Sequence, residues 1–449
     1  FVSNSFSNTG LLTNAIDIQR NATAPNLCNV PTNTGLTPAQ QLAICNGALL
    51  NVTGVTYPAD VTNFLATNTA SLALAPTNAI DPKLKIARKL KASLQADYDA
   101  DLGPLGDGWL IGAQVLYDKS VYGYSWRDIR TRQVGTLPDG RPRFDGLVAG
   151  NTNQDLLMIN STKGRGIFGS IRLQKEWDYG LSISTSYTRA DVKDENAITS
   201  ATANSLYGNN AFADGYRPAY GRSIYEIRDT WKFDMEWKHD FFGDNTTRIG
   251  LFGELRSGRP YSMTMGDNVG GRSVIFGGVG NIGRQLLYVP TAGSDPRVSF
   301  DSATSQALFE QIVTNYGLDK FRGKVISKNS QNSPSFFKVD LHAEQEIPFV
   351  FGGKLKIFGD IENVLNLIDS DLSSLRQLAF PYTHRVAQAQ CLTTAVATGT
   401  APTAAQINTA PTQTCAQYRY SNISGPNANL TTFSRQSLYA IRVGVKVSF

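Results

Sequence analysis

The stretch SLYAIRVGVKVSF, residues 437–449, alternates without interruption from Tyr439 onward. Tyr439, Ile441, Val443, Val445, Val447 and Phe449 share one face, and Ala440, Arg442, Gly444, Lys446 and Ser448 share the other. A period of two marks a β-strand with two unlike faces. Soluble domains usually leave a few frayed polar residues at a terminus, whereas here the strand runs to the last residue, an aromatic.

The same pattern recurs upstream. In residues 84–98, Leu84, Ile86, Leu90, Ala92, Leu94, Ala96 and Tyr98 share a face that Arg88 interrupts. After the turn DADLGPLGDG, Trp109, Ile111, Ala113, Val115 and Tyr117 share one face. Ile167, Ile171, Leu173 and Trp177 lead through a tight turn at Asp178–Gly180 into Leu181, Ile183, Thr185 and Tyr187. Trp231, Phe233, Met235 and Trp237 lead through DFFGDNTT into Ile249, Leu251, Gly253 and Leu255. Phe337, Val339, Leu341 and Ala343 lead through PFVFGG into Leu355, Ile357, Gly359 and Ile361. With the terminal strand this makes about nine.

The connections alternate as regularly as the residues. Links near 104, 179, 243 and 350 are short; those near 125–163, 192–226, 259–334 and 366–436 are far longer than loops in compact domains usually run. Between antiparallel neighbours, all short turns then lie at one end and all long loops at the other. The short-turn end is rich in aromatics: Tyr98, Trp109, Trp177, Tyr179, Trp237, Phe349, Phe351 and, at the same level, Phe449. Such a girdle suits a membrane–water interface. The polar faces carry Lys232, Asp234, Glu236, Lys338, Asp340, His342, Glu344, Asp360 and Glu362, which a barrel would turn to its lumen. The expected fold is all-β: part of an antiparallel transmembrane β-barrel with short periplasmic turns and long extracellular loops. Two loop segments read as short helices, TPAQQLAICNG with Thr37 as N-cap and Pro38 next, and SATSQALFEQIVTNYG with Leu308 and Ile312 on one face and Gly317 as its stop.

Composition narrows the function. Only 18% of the 449 residues are charged, below the usual quarter or so, and a net charge of +5 spread along the chain gives no reason to expect a nucleic-acid partner. No apolar run approaches the length of a membrane helix. The chain begins FVSNSFSNTG, without Met, and reads as mature or truncated sequence. Four cysteines fall into two local pairs, Cys28 with Cys45 and Cys391 with Cys415, in Pro/Thr/Asn-rich stretches. Lacking CxxC spacing and with three histidines in the chain, they suit loop disulfides in an oxidising compartment better than a metal site.

Catalytic signals are weak. Gly278, Gly280 and Gly283 have dinucleotide-fingerprint spacing, but RQLLYVPTAGSDP after them offers no helix to receive a phosphate. Asp360 with Glu362, and Asp340 with Glu344, are paired carboxylates on strand faces; with Lys338, Lys354 and Lys356 beside them they read as a charged wall, not an acid–base pair. His239, His342 and His384 are scattered and suggest no triad. Asn363 reads as turn chemistry at a strand end. No enzyme activity and no cofactor are expected.

GDIENVLNLID at 359–369, SGRPYS at 257–262, the DPKLKIARKLKASLQADYD strand and the aromatic C-terminus together resemble the barrel of TonB-dependent outer-membrane receptors, most closely the Oar-like branch. The resemblance spans nearly the whole chain and is most specific over 81–124, 225–262 and 336–369. It implies a 22-strand barrel in a Gram-negative outer membrane, filled by an N-terminal plug and energised through a TonB box. It also implies that the terminal strand resembles the signal read by the barrel-assembly machinery. About nine strands, no plug domain and no TonB box are found in residues 1–449, so the chain reads as the C-terminal part of such a receptor, meeting plug and TonB complex through a part preceding it. The implied activity is energised passage of a large extracellular ligand, with a tilt towards peptide or protein. The competing reading is an adhesin or surface-structure barrel whose long disulfide-bonded loops bind partners.

Overall fold

The structure, a computed structural model, describes residues 37–50, 76–147, 153–267, 271–279, 283–349 and 353–448, with short backbone pieces at 19–20 and 28–29 and the single residues 59 and 63. The chain is all-β, and its frame is a sheet of nine long strands: β1 (Arg88–Ala100), β2 (Trp109–Asp128), β3 (Gly164–Glu176), β4 (Leu181–Asp194), β5 (Asp229–Phe242), β6 (Asn245–Arg256), β7 (Phe336–Pro348), β8 (Lys354–Glu362) and β9 (Ala440–Ser448). Every neighbour is antiparallel and consecutive among these nine. All nine strands expected from alternation are present. No pairing closes the sheet among the described residues.

Register follows from the pattern, since a slip by one residue would exchange the two faces. One apolar row runs Leu251–Leu341–Ile361–Ile441 across β6 to β9, and another runs Val115–Leu94 across β2 and β1. The adjoining polar rows include Lys232–Glu254–Lys338 and His342–Asp360–Arg442. At the β3–β4 turn, Gly180 has φ +88°, and a Cβ on it would meet the Lys238 carbonyl oxygen at 1.9 Å; any other residue would push β5 away.

The first strand departs from expectation. Leu84 and Ile86 precede β1; Leu84 packs on a small core with Trp126 and Leu156, and Ile86 lies exposed. A register shift at Arg88/Lys89, which skips Val121 on β2, breaks the alternation at Arg88.

The long connections fold together. Pro260–Gly266 runs parallel to Thr383–Leu392, and Val298–Phe300 runs parallel to Gln417–Ser421, joining the β6–β7 and β8–β9 loops in one sheet. That cap has its own core, centred on Met263, Phe276, Tyr288, Phe309, Tyr418 and Tyr420. Both expected helices form. In Pro38–Leu50 the Thr37 hydroxyl accepts from the Gln40 amide at 3.3 Å while the Gln40 side chain accepts from the Thr37 amide at 2.8 Å. In Ala303–Asn315 Ser302 caps the start, and the buried face is Phe309, Ile312 and Val313, one position on from the expected Leu308.

Candidate functional site

Strand alternation puts the charged residues of β5 to β9, Asp229 at the start of β5 apart, on one face, where they neutralise each other in rows. Glu236 meets both Lys238 and Arg248; Lys338 meets Asp340 at 3.0 Å; Lys356 bridges Glu344 at 3.1 Å and Glu346 at 2.8 Å, and Lys354 adds a second cation to Glu346 at 2.8 Å. Lys232 stands opposite Glu254 in the register. Arg442 reaches Glu362 at 3.3 Å and Asp360 at 3.8 Å. Asp234, Asp340, His342, Asp360 and Arg442 line a cavity of about 330 Å³ on this face.

His342 and Asp360, read from the sequence only as members of one polar face, are brought into direct contact. Cross-strand pairing of β7 and β8 brings Nδ1 of His342 to 2.6 Å from an Asp360 oxygen. The Phe358 ring lies beside the imidazole with centroids 6.4 Å apart, and Arg442 reaches the second Asp360 oxygen at 3.8 Å. The pair orients an imidazole and balances charge on the wall. Among the described residues no group of three or more His, Cys, Asp or Glu is placed to hold a metal ion. The glycine fingerprint serves structure: Gln285–Leu286, a short strand and not a helix, follows it, and Gly280 lies outside the described residues.

A second cavity, of about 580 Å³, opens where the polar face meets the loops, lined by Lys89, Asp118, Tyr122, Lys163, Glu195 and Tyr225 among others. Lys89 and Asp118 pair across β1 and β2 at 2.9 Å, and the Ser161 hydroxyl donates to buried Glu195 at 2.5 Å. Sequence reasoning missed this vestibule because its residues come from five segments joined only by folding. Asn363, assigned to a turn, takes the left-handed conformation at φ 54° and is fully buried; its side chain donates to the Ser437 and Ser373 carbonyls, and its amide donates to Asp340 at 2.7 Å. It ties the end of β8 to the segment entering β9.

The aromatics of the short-turn end lie in clusters. Trp109 meets Trp177 edge-on at 5.7 Å and Trp177 meets Tyr179 at 6.1 Å; Trp237 contacts Phe241 at 5.4 Å. Tyr98 and Phe349 are exposed, and Phe351 and Phe449 fall outside the described residues. On the last strand Tyr439, Ile441, Val443, Val445 and Val447 all stand exposed on the apolar side.

Above the wall, Cys391 and Cys415 form a disulfide with Cα atoms 5.4 Å apart. Cys45 is buried and disulfide-bonded; the Cys28 side chain lies outside the described residues. In the cap core, burial and the neighbouring Asp295 carboxylate push the Tyr288 hydroxyl up to about 12, and the hydroxyl donates to that carboxylate at 2.8 Å. Burial holds His384 below its ordinary value near 6.5, beside the Ser424 hydroxyl at 3.1 Å. The folded cap therefore favours neutral His384, while the unfolded segment takes its proton near 6.5. Its contribution to stability is complete above that pH and is lost as pH falls towards the folded value. Amide exchange across 383–388 is expected to speed up as pH drops below 6.5, after correction for intrinsic rates, and His384→Gln to remove that dependence. An unchanged profile in the variant would assign the effect to other groups.

No family model matches the chain, and a search of curated proteins finds no match.

Proposed function

We propose that the chain forms part of the wall and outer cap of a transport barrel in a bacterial outer membrane, of the TonB-dependent, Oar-like kind, passing a large extracellular ligand. One observation carries the reading: the nine-strand sheet leaves an entire face of large apolar side chains uncovered, opposite a face of paired charges. Leu94 is 76% exposed, Ile171 60% and Val443 74%, on the side that also carries Ile357, Met235 and Trp231. Water penalises an apolar surface on this scale, and lipid would cover it. The charged face then lines the lumen, and the vestibule at its loop end receives ligand. The aromatic clusters sit where a strand leaves the hydrocarbon. Substrate class rests on the resemblance, which favours peptide or protein.

The folded cap, with its core and disulfide, also suits an adhesin that binds partners without passage. Fractionation of cells making the full-length protein is the test. Recovery with the outer membrane and co-purification with TonB support the transporter; outer-membrane recovery without TonB favours the adhesin; recovery in a soluble fraction overturns both.

A further inference from the structure

The loop end of the apolar face holds a feature that passage through a lumen does not use. On β4, Tyr187 is the last apolar residue of the outward series; Arg189, Asp191 and Lys193 continue the same side. The short strand Gly221–Arg222 pairs with Lys193 and Asp194, so Arg222 points with Lys193. Together with Arg228, Lys320 and Lys328 these residues enclose a cavity of about 680 Å³, with Tyr220 at its side.

Six cations face this cavity and one carboxylate, Asp191, which Arg165 already engages at 2.9 Å. The carboxylates behind it are shared out. Asp229 takes Arg189 at 2.8 Å, Asp194 takes Lys328 at 2.8 Å, and Glu226 is divided between Arg222 and Arg228 at 2.8 and 3.3 Å. Glu226 and Lys328 are buried, so the scaffold is fixed by packing. Lys193 and Lys320 have no carboxylate partner among the described residues; Lys320 lies over the Phe321 ring. The cavity thus has positive charge to spare, ordered donors, and a position directly above an uncovered apolar band.

We infer that this cavity binds the phosphate groups of a lipid of the outer leaflet, whose acyl chains lie along Tyr187, Ile171 and Trp231. The inference rests on the membrane reading above. Cations at a membrane interface attract anionic headgroups, and guanidinium with ammonium donors match phosphate oxygens. A soluble anion would satisfy the cations but make no use of the apolar band below.

The test uses the complete chain reconstituted with phosphatidylcholine, with bisphosphorylated lipid A, its dephosphorylated form and inorganic phosphate as probes. Flotation with vesicles is scored first. Failure to float overturns the membrane reading and this inference with it. With floating protein, lipid A is expected to bind at least about tenfold more tightly than the dephosphorylated form. The double variant Lys193→Gln/Lys320→Gln is expected to lose most of that difference while floating and resisting protease like wild type. Lys320→Gln alone, on an exposed turn, guards against misfolding of the double variant and is expected to lose part of it. Equal binding of both lipids, or an unchanged preference in both variants, overturns the inference and leaves the membrane reading standing. Displacement of lipid A by millimolar inorganic phosphate would overturn the lipid assignment in favour of a free anion.

Discussion

Leu341→Arg is expected to destabilise the wall in a bilayer by about 2–4 kcal/mol, the cost of a cation near the midplane of a barrel's lipid face. Leu341 lies between Leu251 and Ile361, in the middle of β7 and far from both ends of the strand. A guanidinium there has apolar neighbours on both sides and cannot easily reach an interface. Lys338→Ser, three residues away on the opposite face, removes one member of a half-buried pair with Asp340 and is expected to change stability by under about 1 kcal/mol. Urea unfolding of vesicle-inserted protein measures both. Equal costs at the two positions would refute the assignment of the faces, and with it the membrane reading.

Phe309→Ala is expected to cost about 3–5 kcal/mol, within the cap alone. Phe309 is fully buried on its helix, with the Phe300 ring at 5.4 Å and the Tyr420 ring at 5.8 Å. Those partners come from the β6–β7 and β8–β9 connections, so truncation opens a cavity where the two loops meet. Hydrogen exchange should show lost protection over 260–266, 298–315 and 383–421, with β5 to β8 unchanged. Protection lost uniformly along the wall would mean that cap and wall unfold as one unit, against the separate core of the cap described above.

These contrasts show where the sequence is readable. The wall is written locally: in each of β1 to β9 a two-residue period, covered on one side only, leaves its mark on the chain. Strand length is less legible. β2 continues eleven residues past Tyr117 to Asp128, through VYGYSWRD, because its upper part leaves the wall, pairs with Leu156–Ser161 and is packed on both sides. The same cause hides Pro260–Gly266, buried at every position, so that no alternation remains to be seen. The charged wall residues were identifiable one by one, but their pairing depends on cross-strand register, and His342 finding Asp360 is the clearest instance. The vestibule and the cationic cavity were illegible for a stronger reason: Lys193, Arg222 and Lys320 meet only through tertiary pairing of separate loops.

Polarity along the sheet carries a last consequence. Nine strands that reverse at every step leave the first and the last pointing the same way. Joined edge to edge, Arg88–Ala100 and Ala440–Ser448 would form a parallel seam, the one joint in the wall with slanted hydrogen bonds. A ring that reverses at every step, as bacterial outer-membrane walls do, needs an odd number of strands between those two edges. An even count is a geometric contradiction, so strand parity alone constrains any complete wall that contains this sheet.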